Sequence, residues 1–269
     1  MKYSLKINPN HHDIDTEDNK KILIVYFVFV NIHNPNWMNI IRGQMMDLRL
    51  SGILHHSKLH IVMTCPENNI NLINNIQKMM NDYTQASIDY TVQYQNNFEY
   101  EGIKKVYELS QDNPNKYILY FHSKGMVYNN QQTENSGRTL YEQSLTKYTV
   151  YPWEYVLQIF ETRDDVSKIG LFPSTDNRTM IWMNFFWVRT NYIQTCENPI
   201  LTNDRFYYET WLSRTSNKNT INNGTSDSYS IISHSNNLHD FVHVDNIGKY
   251  LNYFPATYDS SYLKINNNL

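Results

Sequence analysis

The chain has 269 residues, enough to bury a substantial core, with 41% apolar and 14% aromatic residues and a net charge of −3. That charge leaves no basic footprint for nucleic acid, and the longest apolar run is too short to span a bilayer. Two cysteines, Cys65 and Cys196, form neither a disulfide framework nor a Cys-x-x-Cys pair, so a reducing, cytoplasmic compartment is expected.

Residues 1–20 are polar and read as a loose leader. Within them Asp13-Ile-Asp15, beside His11 and His12, reads as a solvated tail rather than a metal site. The leader is acidic, which makes it a poor secretory signal, and the matches Asn177-Arg-Thr179 and Asn223-Gly-Thr225 are then chance glycosylation patterns in an Asn-rich chain. Residues 22–30 are β-branched and aromatic and predict a fully buried strand. After the loop Asn31-Ile-His-Asn-Pro-Asn36, apolar residues at helical spacing (Trp37, Ile40, Ile41, Met45, Leu48) predict a helix over 37–54, with Gly52 as its stop signal. Residues 59–63 read as a second strand. Pro66 fits the first turn of a helix running to about Asp82. Residues 88–94 alternate as a third strand, 100–110 form a third helix broken by Asp112-Asn-Pro-Asn115, and 117–121 form a fourth strand.

Strands alternating with helices predict βαβ units and a mostly parallel sheet with helices on both faces. Ligands of such sheets bind beyond the carboxyl ends of the strands, so the loops starting near Asn31, Thr64 and His122 should converge. In the second half, 137–148 and 152–162 look helical, 168–172 and 180–189 read as strands, 203–213 as a short helix, and 215–228 as a polar, mobile loop. One domain is expected over 1–269, divided into a nucleotide-binding half (21–130) and an acceptor-side half (131–269).

Five stretches in order resemble a glycosyltransferase family of the GT-A fold, which includes bacterial and giant-virus proteins and is related to the rhamnan-synthesis type. Trp37, Gln44, Ser51 and Gly52 resemble its first helix, and residues 98–109, with Glu101 at the acidic position, resemble a later one. Ile118-Leu-Tyr-Phe-His-Ser-Lys-Gly125 and Met183-Asn-Phe-Phe-Trp-Val-Arg-Thr-Asn-Tyr-Ile193 resemble two strands of the family, and Asp204-Arg-Phe-Tyr-Tyr-Glu-Thr-Trp211 resembles the helix that follows. The chain departs from the pattern at Met183, where the family has Gly, and at Phe186, where it often has Trp.

The resemblance implies a hexose-transferring enzyme that uses a nucleotide-sugar donor, a UDP- or GDP-sugar, and a glycan or glycoprotein acceptor. A catalytically inactive relative that binds sugar or scaffolds an assembly is the alternative. A viral source would place the protein in the host cytoplasm or the virion. Many enzymes of this fold hold a divalent metal with an Asp-x-Asp after the fourth strand, where this chain has His122-Ser-Lys-Gly. Donor and phosphate contacts are therefore expected from His122, Ser123, Lys124 and Gly125, with Lys124 as a point charge on the diphosphate and Gly125 letting backbone N–H groups approach an anion. No cofactor is required on this reading; Mn2+ or Mg2+ stays open as a divalent cation, with His122 as its candidate ligand. Asn31, His33 and Arg138 are further donor-side candidates, each equally readable as an ordinary loop or helix residue.

An inverting transfer needs a carboxylate base, for which Glu209, then Asp204, then Asp176 are the candidates. Asn184, Trp182, Trp187 and Arg189 are candidates for the acceptor side. Asn184 sits among aromatic residues and must find partners, either backbone or sugar hydroxyls. Some of the aromatic residues must be core.

Overall fold

The computed structural model describes residues 20–124, 126, 137–174, 180–215 and 227–231. Seven strands form one sheet in the order β3-β2-β1-β4-β6-β5-β7: β1 (Ile22–Phe29), β2 (Ser57–Thr64), β3 (Ile88–Gln93), β4 (Tyr117–His122), β5 (Lys168–Gly170), β6 (Phe186–Arg189) and β7 (Ser228–Ser230). All neighbouring pairs are parallel except the two made by β6, which runs against β4 and β5. The helices are α1 (Trp37–Leu50), α2 (Ile70–Asn81), α3 (Tyr100–Asp112), α4 (Leu140–Val150), α5 (Trp153–Thr162), α6 (Thr190–Ile193) and α7 (Arg205–Thr210). This mixed α/β architecture, with its mostly parallel central sheet, is consistent with a GT-A-like fold. Among the described residues no helix is long and apolar enough to cross a membrane.

The period-2 geometry of β1 divides the core. Ile22, Ile24, Tyr26 and Val28 face one side, where they meet α1, α2, α4 and α5. Leu23, Val25 and Phe27 face the other, where they meet α3, α6 and α7. Both faces are buried, which is why β1 reads as an unbroken apolar run. Strand β4 alternates in the same way. Leu119 and Phe121 join the α1 side, with Phe121 stacked on Tyr26 at a centroid distance of 4.5 Å, while Ile118 and Tyr120 join the α3 side.

Several boundaries differ from expectation, each for a local reason. α1 stops at Leu50, because Gly52 adopts φ +76 before a 3-10 turn over Ile53–His55. α2 begins at Ile70, not at Pro66: Asn69 caps it, its side chain accepting from Leu72 N at 3.1 Å, a role proline has no side-chain acceptor to fill. α4 begins at Leu140, because Gly137 has φ +71 and Thr139 caps the helix through Glu142 N. The helix expected over 203–213 ends at Thr210 and tightens into a 3-10 turn over Trp211–Ser213. β5 ends at Gly170 rather than 172.

The strand expected over 180–189 is broken. Met183 (φ 71) and Asn184 (φ 52) form a left-handed kink inside a 3-10 turn, Trp182–Asn184, and only Phe186–Arg189 pair as a strand. Of the polar loop expected over 215–228, Thr215 bridges Cys196, Asp227 pairs with the buried Lys168 and Ser228 begins β7, while 216–226 lie outside the described residues. So do the leader residues 1–19, with the Asp13-Ile-Asp15 stretch, and both glycosylation matches.

Gly102 lets α3 lie close on the sheet. A Cβ there would stand 2.8 Å from the Tyr120 hydroxyl and 2.9 Å from Phe27 Cβ. Gly102→Ala must therefore push α3 away from β1 and β4, and a loss of about 1–3 kcal/mol in urea unfolding is the expected result.

Candidate functional site

The carboxyl ends of β1, β2 and β4 share one edge of the sheet, since Phe29 pairs with Thr64 and Phe27 with His122. The three loops named from the sequence do start together there. Asn31 Nδ2 donates to Met126 O at 2.8 Å and Asn34 Nδ2 donates to the same carbonyl at 3.2 Å, tying the loop after β1 to the chain after β4. This is the switch point of the sheet: from β1 the order runs to β2 and β3 on one side, and to β4, β6, β5 and β7 on the other.

His122, the last residue of β4, is buried and held from both faces of the sheet. On the α1 side its carbonyl accepts from Gln44 Nε2 at 3.1 Å. On the α3 side its ring nitrogen Nε2 lies 3.0 Å from the Met183 carbonyl and 3.8 Å from Glu99 Oε1. A carbonyl only accepts, so Nε2 carries the proton. Burial lowers the His122 pKa, with a smaller push in the same direction from Lys124; Glu99, the Met183 carbonyl and Glu209 pull it back up without reversing it. The ring is therefore neutral near pH 7.

Glu99 organises the rest. It stands at the N-cap position of α3, yet its side chain accepts no bond from a helix N–H. Its Oε2 instead accepts from Tyr120 Oη at 3.1 Å and from Asn184 Nδ2 at 2.9 Å. Asn184 Nδ2 also donates to Tyr208 O at 3.2 Å, which draws α7 into the group. Tyr120, buried and beside Glu99, has its pKa raised by burial first and by the carboxylate second, so it remains a phenol and a donor. The left-handed kink at Met183 and Asn184 is what turns Asn184 inward. Met183 stands where the resemblance has glycine, at a φ that glycine adopts without strain.

Lys124 follows one residue beyond Ser123. Its ammonium makes no hydrogen bond or ion pair among the described residues, and its charge reaches His122. Glu209 is partly exposed and pairs with Arg205 at 3.4 Å, and its charge also reaches His122. His122, Lys124, Asn184 and Glu209 are thus brought to one end of β4. Gly125 and Asp176 lie outside the described residues.

The remaining candidates have other employment. Ser123 Oγ accepts from Phe29 N at 2.9 Å and so extends the β1–β4 ladder. Asp204 caps α7, accepting from Phe206 N at 3.0 Å. Asn31 holds Met126, and His33 is exposed. Trp182 is half-buried against the core. Trp187 is fully buried and donates to Thr149 O at 2.8 Å, so it is a core residue and cannot stack on an acceptor. Arg189 is at the wrong end of the sheet: β6 runs antiparallel and sets Arg189 beside Tyr117, where it donates to the carbonyls of Val166, Phe160 and Arg163.

Arg138 faces inward. Its Nε lies 2.6 Å from Glu142 Oε2, and its terminal nitrogen Nη2 lies 2.7 Å from Glu142 Oε1 and 2.9 Å from Asp47 Oδ2, all three side chains being buried. Burial raises the pKa of both carboxyls and Arg138 pulls each back; the guanidinium itself is held charged, since its two acids outweigh the cost of its burial. The trio reaches the site through Thr146, whose hydroxyl lies 2.9 Å from Glu142 Oε1 and accepts from Gln44 Nε2 at 3.0 Å; Gln44 Oε1 in turn accepts from Tyr26 Oη at 2.6 Å. Arg138 thus supports His122 from beneath rather than meeting a phosphate.

Glu99 is the residue that sequence reasoning passed over in favour of Glu101. The only local signal was an acid immediately before the first turn of α3; the position of Tyr120 opposite it exists only in the folded sheet. Among the described residues no group of three or more His, Cys, Asp or Glu side chains is arranged to hold a metal ion.

Two substitutions probe this geometry. Arg138→Met leaves two buried carboxylates without their cation, and a loss of about 3–5 kcal/mol in chemical denaturation is expected. Asn184→Asp replaces the donor on Glu99 Oε2 with a second carboxylate. Two like charges at one site repel, so the variant is destabilised most where both acids are ionised and least where the site is protonated. Urea melts should show the variant about 2 kcal/mol less stable than wild type at pH 8, with the gap closing by pH 4. Comparison of the chain with protein-family models, with curated proteins and with solved structures finds no match.

Proposed function

We propose that the protein is a glycosyltransferase that moves a hexose from a UDP- or GDP-sugar to a glycan or glycoprotein acceptor. The observation that carries this reading is the placement of Lys124, a cation with no partner among the described residues, past the carboxyl end of β4 at the switch point of the sheet, with Glu99 and Glu209 gathered on the α3–α7 side of the same strand end. Transfer from a nucleotide sugar requires positive charge where the diphosphate departs and an acid–base group where the acceptor hydroxyl arrives. Lys124 supplies the first as a point charge. The neutral His122, pinned by its backbone and its ring, supplies a rigid wall between the two.

The resemblance of residues 118–125 and 183–193 to strands of GT-A enzymes supports the same reading, and the mostly parallel sheet agrees with it.

Thermal shift against UDP, GDP and their sugars tests the proposal, because a ligand that binds only the native state raises its stability. A shift is expected with at least one diphosphate nucleotide, and Lys124→Ala should weaken that binding by about tenfold or more, the equivalent of about 1.4 kcal/mol. No shift with any of them would sink the reading. Binding without transfer or hydrolysis would favour a sugar-nucleotide-binding protein that has no catalysis.

A further inference from the structure

Five non-glycine residues among those described have positive φ: Asn68, Phe98, Asn115, Met183 and Asn184. Asparagine tolerates this region, whereas Phe and Met adopt it only under strain. The two costly ones adjoin the same side chain. Phe98 directly precedes Glu99, and the Met183–Asn184 kink delivers the amide that bonds it. Strain of this kind persists where the surrounding structure over-determines a conformation, and here it is spent on fixing one carboxylate.

That carboxylate is asymmetric. Oε2 is saturated by Tyr120 and Asn184. Oε1 accepts no hydrogen bond among the described residues, and the His122 nitrogen 3.8 Å away gives its proton to the Met183 carbonyl. The side chain is 19% exposed, so solvent reaches it. The donors that orient Glu99 are neutral, whereas Glu209 faces the guanidinium of Arg205 at 3.4 Å. A general base needs an open lone pair, a fixed direction and no cation holding its charge; Glu99 meets all three conditions and Glu209 fails the last.

We infer that Glu99, rather than Glu209, is the carboxylate that takes the proton from the acceptor hydroxyl. The assignment rests on the proposed glycosyl transfer and implies inversion. The acceptor O–H proton passes to Glu99 Oε1 as the oxygen forms its bond to the anomeric carbon. The bond from that carbon to the diphosphate oxygen breaks, and its electron pair leaves on the diphosphate beside Lys124. The products are the glycoside, the nucleoside diphosphate and a protonated Glu99, which returns its proton to water. Water at the same place would give slow hydrolysis by the same step.

The test uses the full chain, UDP- and GDP-hexoses as donors and water as the acceptor, reading released nucleoside diphosphate against pH, with thermal shift by UDP and GDP measured in parallel. Glu99→Gln should lower release by about 100-fold or more while the nucleotide shift stays at the wild-type size. Tyr120→Phe removes one of the two hydrogen bonds that fix Glu99 Oε2 and leaves the carboxylate itself in place. Its release should fall by about tenfold while the nucleotide shift stays at the wild-type size, a split that a loss of fold would not give, and this variant decides the matter if Glu99→Gln does not fold. The assignment is overturned if Glu99→Gln keeps release within threefold, if Glu209→Gln alone abolishes it, if Tyr120→Phe keeps release at the wild-type rate, or if the wild type binds nucleotide and releases none. Absence of any nucleotide shift in the wild type is the separate result that removes the glycosyltransferase reading itself.

Discussion

The last residue of β4 is gripped from both faces of the sheet, and the rest of the site depends on that grip. Gln44 reaches the His122 carbonyl from α1 while the Met183 carbonyl receives the His122 ring from the opposite side. A strand end at a sheet edge is otherwise free to fray, because the ladder no longer supplies partners for its polar groups. Here each side of the strand carries its own polar network, and each network is anchored in an apolar core. The direction of the chain beyond His122, and so the position of Lys124, follows from those two anchors.

The network on the α1 side is costly in isolation. Asp47 and Glu142 share one guanidinium, all three are buried, and desolvation disfavours every charge in the group. What it supplies is direction. Arg138 fixes Glu142, Glu142 fixes Thr146, and Thr146 with Tyr26 orients the Gln44 amide so that its N–H groups, not its oxygen, face β4. Gly43 belongs to the same device, since a Cβ there would collide with the Arg138 guanidinium. The network on the α3 side works through backbone strain instead, where the left-handed kink at Met183 and Asn184 aims an amide and a carbonyl at Glu99 and His122.

The two halves of the chain meet through the one antiparallel strand. Because β6 runs against β4, the start of β6 and the kink before it lie at the functional edge, and its end lies at the far edge. That reversal sends Asn184 to the site and Arg189 away from it, although the two are close in sequence. Arg189 closes the opposite edge by binding carbonyls at and just beyond the end of α5, those of Arg163 and Val166, and stacking against Phe160.

Local patterning by itself determined the alternation of β1 to β4 with α1 to α3, the burial of β1 on both faces and the gathering of the Asn31, Thr64 and His122 loops, because apolar periodicity and parallel crossovers are short-range and directional properties. His122 and Lys124 were singled out by the resemblance of residues 118–125 to a family strand rather than by patterning, and Asn184 by its place as a polar residue among aromatic ones. The tertiary structure alone decided the fate of the remaining charged and polar residues. Arg138 and Glu142 sit four apart on what reads as an ordinary exposed helical pair, and only the approach of Asp47 from α1 makes them a buried trio. Trp187 and Trp182 look equivalent until the kink at Met183 places the first deep in the core and leaves the second half-buried. Glu99 and Glu101 flank the same residue, Tyr100; Glu99 became central because Tyr120 and Asn184 stand opposite it, and the partner of a charge is a property of the fold, not of the segment that carries it.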